Sequence, residues 1–326
     1  MCARTDILAA VERPAFAQPK IAIVGAGRVG TALAVRLAEA GYKITEVISR
    51  RPPRSRGKVR GLARRLRATA SSIGGGAQLD ADLVWFCTPD VQVARTAAQL
   101  AGLDWRRKFA FHASGVLTSD ELAVLHDRGA QVASVHPLMT FVPGAVPKLT
   151  GVTFAIEGDT RAVLLATSTV RTLGGNVLRI RKQDKPAYHA FATMVCPMLV
   201  SLLAVAEKAG VLAGISPTRA RMAMLPIIRQ TVVNYEKLGS AKAFTGPIMR
   251  GDVAIVRQHL ARLAARPVLE RVYLALAQAA FEYLPTRNPE PMKKTLHPTF
   301  SPTSARSPRL KTLTRRGRAE KAAKGE

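Results

Sequence analysis

The chain has 326 residues, 48% of them hydrophobic, enough to bury one large core or two ordinary ones, and two domains are the expected arrangement. Its formal charge is +27, from 49 Lys and Arg against 22 Asp and Glu, a field that attracts polyanions and acidic metabolites and bears on association rather than on fold. Three cysteines, Cys2, Cys87 and Cys196, lie far apart without a paired motif, so neither a disulfide framework nor a zinc site is expected.

At the start, "MCARTDILAAVERPAFAQPK" holds a five-residue apolar run between Asp6 and Glu12, too short for a signal peptide. Residues 1–19 are read as an N-terminal extension. No stretch approaches eighteen uninterrupted apolar residues, because even 188–206 contains His189, Thr193, Pro197 and Ser201. A cytoplasmic protein without a membrane partner is the expectation.

From residue 20 the chain alternates short strand-like runs with helix-length segments. The runs are "KIAIVGAG" (20–27), "YKITEVIS" (42–49), "DLVWFCTPD" (82–90), "KFAFHASG" (108–115), "QVASVHP" (131–137) and "GVTFAIEG" (151–158). This alternation predicts an α/β, Rossmann-type, doubly wound, mostly parallel sheet over residues 20–157. Asp159 and Thr160 are placed to cap a helix running to Thr172, helices alone follow after about residue 182, and the second, all-helical domain is placed at 158–285. Pro197 should kink the first long one. Ser216 and Pro217 start the next, and Asp252 can cap another. Residues 286–326 are rich in Ser, Thr, Pro and basic side chains, with Phe300 as the single aromatic, and are expected to form a disordered basic tail.

"IAIVGAGRVG" sets Gly25, Gly27 and Gly30 in a GxGxxG fingerprint between a strand and a helix, with Arg28 and Val29 in the first helical turn. Such a turn lets backbone approach a pyrophosphate and aims a helix N-terminus at it; a merely structural turn is the alternative. About twenty residues on, where many such chains carry an Asp or Glu for the ribose of NAD, this one has Ser49, Arg50 and Arg51. A guanidinium fork suits the 2'-phosphate of NADP. Nine basic residues occupy 50–67 with no acidic one, and those from Arg54 onward are read mostly as a solvated loop and helix.

Ligands of open parallel sheets bind beyond the carboxyl ends of the strands. Three such ends carry chemistry here: "CTPD" with Thr88 and Pro89, "HASG" with His112 and Ser114, and "HPLMTF" with His136. Thr88 and Asp90 also suit a turn and helix cap. In "KPAYHA", Lys185 and His189 are four apart and share a helix face. A proton donor for a reduction is sought among His112, Lys185, His189 and His136, in that order. Arg250 in "FTGPIMRGD" could meet an acidic substrate. No metal is implied.

The fingerprint, "DLVWFCTPD", "HASG", "SVHPLMTF", "YHAF" and "FTGPIMRGD", in this order over roughly 20–284, resemble the Rossmann-like NADP-dependent oxidoreductases that carry a helical C-terminal domain of unknown function. That family is similar to pyrroline-5-carboxylate reductase, ketopantoate reductase and the 6-phosphogluconate dehydrogenase group. The resemblance implies an NADP-linked, two-domain fold with a homodimer made through the helical domain. It also implies a Lys and an amide four apart on the interdomain helix handling the proton; here His189 stands in for the amide. Cys196-Pro197 replaces the Ser-Asn expected in the same helix. Two functions follow. One is a reductase moving a hydride between NADPH and a C=O or C=N bond of a small metabolite, anionic ones included. The other is a nonenzymatic NADP-binding regulator whose tail holds polyanions through nonspecific phosphate contacts.

Overall fold

Ile21–Val24, the run IAIV, forms β1 and is wholly buried, as an apolar strand must be when both faces of its sheet are covered. The computed structural model describes residues 18–49, 53–287 and 289–296, with 53–56 described by backbone alone. After β1 come α1 (Arg28–Glu39), β2 (Ile44–Ser49), α2 (Pro53–Leu66), β3 (Thr69–Ser72), β4 (Leu83–Phe86), α3 (Val93–Leu100) and β5 (Phe109–His112). Then follow α4 (Ala123–His126), β6 (Gln131–Pro137), β7 (Thr153–Gly158), α5 (Thr160–Thr172) and β8 (Asn176–Arg179). They make one eight-stranded sheet in the order β3-β2-β1-β4-β5-β6-β7-β8. Every neighbouring pair is parallel except β6 and β7. The order reverses between β1 and β4, where a doubly wound sheet opens its ligand crevice.

Strand alternation builds a core on each face. Ile21, Ile23, Leu83, Trp85 and Phe111 belong to one, and Ala22, Val24, Val84, Phe86 and Ala110 to the other. Trp85 meets Phe111 edge to face, and Phe86 stacks near Trp105.

The strand β8 falls inside the stretch expected to be helical, and β3 was not anticipated. Both are edge strands of four residues without a fully buried position, so neither shows an apolar run. The α5 helix begins where expected, but Asp159 does not cap it. Its carboxylate accepts the Val132 N–H at 2.8 Å instead, tying the helix start to β6. Ser216 and Asp252 also stand at N-cap positions without a side-chain cap bond, and Asp252 pairs with Arg250 at 2.8 Å.

The helices are α6 (Lys185–Thr193), α7 (Leu199–Leu212), α8 (Pro217–Ala243), α9 (Pro247–Arg250), α10 (Val253–Leu263), α11 (Pro267–Tyr283) and α12 (Pro289–Leu296). Pro197 lies in a single π turn, Met194–Met198, between α6 and α7, where a wider loop of backbone absorbs its missing N–H. The chain divides into two compact units, one ending at Val200 and one beginning at Ser201. In the second, Val256, Ala277, Met292 and Leu296 form a small core. The last two correct the reading of 286–326 as disordered throughout, since α12 contributes two fully buried side chains. Residues 297–326 lie outside the described residues, as does the N-terminal extension up to residue 17. Although no uninterrupted apolar run reaches membrane length, the helical stretch Lys182–Leu212 is long and apolar enough to cross one, with mean hydropathy 1.9 and 6% of its window buried.

Candidate active site

At the fingerprint the three glycines have separate causes. Gly25 has φ +104°, and a Cβ there would stand 2.8 Å from the Cys87 carbonyl oxygen. A Cβ on Gly30 would fall 1.9 Å from the Gly25 oxygen and 2.9 Å from the Cys87 Cβ, so Gly30 is what lets helix and turn touch. Gly27 is exposed and caps α1, whose first turn holds no acidic residue and presents Arg28 to solvent and half-buried Val29 behind it. This is a positive helix end with uncovered backbone, suited to a pyrophosphate. Beside it, the Thr88 hydroxyl is buried without a hydrogen-bond partner, while Pro89 leads into the turn Asp90–Gln92. A buried orphan hydroxyl next to the glycine turn, together with the open helix end, fits a dinucleotide. Ser49 at the end of β2 is buried and donates to the Ser71 carbonyl at 3.2 Å. Arg50 and Arg51 lie outside the described residues. Burial pushes the half-buried Cys87 thiol up to about 12.

A second cluster lies within the same unit. His112, the last residue of β5, is fully buried. Its Nδ1 accepts the Ser114 N–H at 3.2 Å, and its Nε2 lies 2.9 Å from the Thr118 carbonyl, so both nitrogens are engaged by backbone. Burial pulls it down to about 4, opposed by the Thr118 bond and helped by the Lys185 charge. The Ser114 hydroxyl accepts the N–H groups of Val116 and Leu117, and Ser119 donates through N–H and hydroxyl to the buried Glu157. The loop after β5 is therefore pinned at both ends.

Across from it, β6 and α6 meet two on two. Ser134 and His136 are two apart and share one face of a strand; Lys185 and Tyr188 are three apart and share one face of a helix. Lys185 Nζ donates to the Ser134 hydroxyl at 2.5 Å and to the Ser114 carbonyl at 3.3 Å. The Tyr188 hydroxyl lies 2.8 Å from His136 Nδ1, with the rings edge to face. Lys185 is fully buried, and desolvation brings it down to about 8 against the pull of Glu157 and Asp90. His136 is pushed down to about 4 by burial, then by the charges of Lys185, His189 and His112. Burial raises Tyr188 to about 12. His189 approaches His136 edge to face at 6.4 Å. Both crowd Gly115, where a Cβ would sit 2.7 Å from His189 Cδ2 and 2.9 Å from His136 Nε2.

The structure thus brings Lys185, His136, His189 and Ser114 together, and engages His112 in holding the loop. Sequence reasoning missed Ser134, Tyr188 and Gly115. For Ser134 and Tyr188 the signal was spacing alone, two residues from His136 and three from Lys185; Gly115 is marked only by the close approach of the two imidazoles. Among the described residues no group of three or more metal-ligating side chains forms.

A glycine fingerprint at the switch point of a doubly wound sheet, beside a buried Lys, Ser, His and Tyr cluster, defines a dinucleotide-linked oxidoreductase. Residues 20–109 match the family model described as "NADP oxidoreductase coenzyme F420-dependent", and residues 152–280 match a domain of unknown function, DUF2520. The chain thus carries an NADP-oxidoreductase family domain followed by a DUF2520 domain, the arrangement of the Rossmann-like oxidoreductases with a helical C-terminal domain. No curated protein sequence matches it significantly. Among solved structures, a candidate NADP oxidoreductase from Bacteroides fragilis is similar, with TM-score 0.67, 23% identity and coverage of 81% of this chain and 98% of that one. A reductive aminase from Aspergillus terreus in complex with NADPH has TM-score 0.57 at 17% identity, covering 82% and 94%. A pyrroline-5-carboxylate reductase from Coxiella burnetii has TM-score 0.54 at 14% identity, covering 83% and 100%. At these identities the likeness is one of fold.

Proposed function

We propose that the protein reduces a C=O or C=N bond of a small metabolite with NADPH. The observation that carries this reading is Lys185, fully buried beyond the strand ends with its ammonium on Ser134 and Ser114 and two imidazoles beside it. A lysine costs too much to bury for packing alone, and its value near 8 keeps a proton available at neutral pH. Gly25, Gly27, Arg28, Val29, Gly30, Thr88 and Pro89 would hold the dinucleotide, with Ser49, Arg50 and Arg51 at its ribose phosphate. The bound nicotinamide would supply the hydride. The chain's own task is to orient the acceptor, exclude water and deliver a proton to the oxygen or nitrogen left behind.

The test follows NADPH absorbance with the full chain against aldehydes, ketones and cyclic imines, with coenzyme F420 as a separate hydride partner. Saturable NADPH oxidation with one class supports the reading; failure of NADPH to bind overturns it.

Exposed apolar side chains support a homodimer. Met194, Val195, Met198 and Val200 are open in the first unit, and Met222, Ile227, Val232 and Tyr235 along α8 in the second. Patches of this kind mark interaction surfaces. Light scattering should give twice the chain mass; a monomer that partitions into lipid vesicles would instead assign Lys182–Leu212 to a membrane and count against a cytoplasmic location.

A further inference from the structure

His136 offers two nitrogens, and the site treats them differently. Nδ1 faces the Tyr188 hydroxyl at 2.8 Å. Nε2 makes no hydrogen bond among the described residues and lies against Gly115, on the side from which the missing Cβ would have excluded it. A phenol is a stronger hydrogen-bond donor than a neutral imidazole N–H, and an imidazole nitrogen is a stronger acceptor than a phenol oxygen. The bond therefore runs from Tyr188 O–H to His136 Nδ1, which leaves the ring proton on Nε2.

We propose that Tyr188 is a positioning residue that locks His136 in its Nε2–H tautomer, and that this fixed donor selects a carbonyl substrate over an imine. The proposal rests on the reductase reading above. A carbonyl oxygen carries lone pairs before and after hydride transfer, so an N–H aimed at it stabilises the developing alkoxide. The nitrogen of a protonated or alkylated iminium has no lone pair to accept that bond at the moment of transfer. In balance, the nicotinamide would supply a hydride to carbon and the Lys185 ammonium a proton to oxygen, so that the C=O π bond is replaced by a C–H and an O–H bond, NADPH becomes NADP+ and the lysine is left as the free amine. The other charged groups acting on His136 are Lys185 and His189 from α6 and His112 from β5, none of them a carboxylate; the nearby Glu157 and Asp90 act on Lys185, so the cation they balance is its ammonium.

The tautomer is read without any substrate, from long-range nitrogen–proton spectra of the full chain labelled in histidine, with His136 assigned by the signals lost in His136→Gln. Wild type should show Nε2 protonated and Nδ1 bare, and Tyr188→Phe should give averaged tautomers. A wild-type His136 ring protonated on Nδ1 would overturn the proposal even if Tyr188→Phe misfolded, and so would a spectrum unchanged by a folded Tyr188→Phe. On the substrate side, ketones or aldehydes should exceed matched cyclic imines in kcat/KM by at least tenfold, with Tyr188→Phe lowering kcat more than it alters KM. Turnover of imines alone would also overturn it. If neither class turned over, the reductase reading would fall and take the substrate choice with it, while the spectrum would still decide the lock.

Discussion

Lys185 Nζ and the Ser134 hydroxyl stand 2.5 Å apart, joined from residues 51 positions distant in the chain. The bond matters because Lys185 has no exposure, and a buried ammonium survives only where oxygens replace its water. Lys185→Met should lower turnover about 100- to 10,000-fold while NADPH still binds. Its melting temperature should hold or rise, since a desolvated charge is replaced by an apolar chain of similar length. Near-normal turnover would remove Lys185 from the proton path.

Stability should fall on acidification from pH 6.5 to 4. His112 and His136 are held neutral at about 4, below the ordinary 6.5, so the unfolded chain takes up protons that the folded one refuses. A shift of that size is worth up to roughly 3 kcal/mol per imidazole at the acid end of the window. Lys185 acts in a higher window, where stability rises with pH between about 8 and 10.5. Denaturant titrations at pH 7 and 5 measure the first effect, and His112→Gln should flatten the slope. Equal stability at both pH values would mean that water reaches the pair.

Gly30→Ala should cost both fold and cofactor. Its Cβ would meet the Gly25 oxygen at 1.9 Å, an overlap that only movement of the whole turn can relieve. A loss of several kcal/mol in stability, in the range of overpacked cores, should accompany loss of NADPH binding. Gly27→Ala, with 4.0 Å of room, should keep stability and weaken NADPH alone. Fluorescence titration and thermal melts separate the two.

For Arg50 the expectation comes from its place after β2. Arg50→Ala should weaken NADPH by roughly 1.5 to 3 kcal/mol and change NADH little. Parallel affinities for the two cofactors measure this, and equal losses would move the 2'-phosphate contact elsewhere.

Truncation distinguishes two parts of the C-terminal basic segment. Removing residues 297–326 should leave the melting temperature unchanged and reduce retention on heparin, because that stretch is basic and nearly free of aromatics. Removing 289–326 should destabilise the second unit, since Met292 and Leu296 are fully buried in its core. Leu296→Ala alone should cost about 2 to 5 kcal/mol.

Much of this protein is written locally. Six strands, the glycine turn, the helix interruption at Pro197 and the helical second half follow from apolar runs, Gly and Pro, whose effects act within a few residues of themselves. The edge strands β3 and β8 do not, because a short strand with one neighbour buries too little to leave a pattern. The site shows the same divide. His136, Lys185 and His189 are visible as chemistry at strand and helix ends, yet nothing in the order of residues says that Ser134 will receive the lysine, that Tyr188 will hold the histidine, or that His112 will spend both nitrogens on its own loop. Those pairings depend on how one face of α6 meets one face of β6, and a hydrogen bond of under 3 Å is decided by packing across fifty positions of chain rather than by any spacing within it.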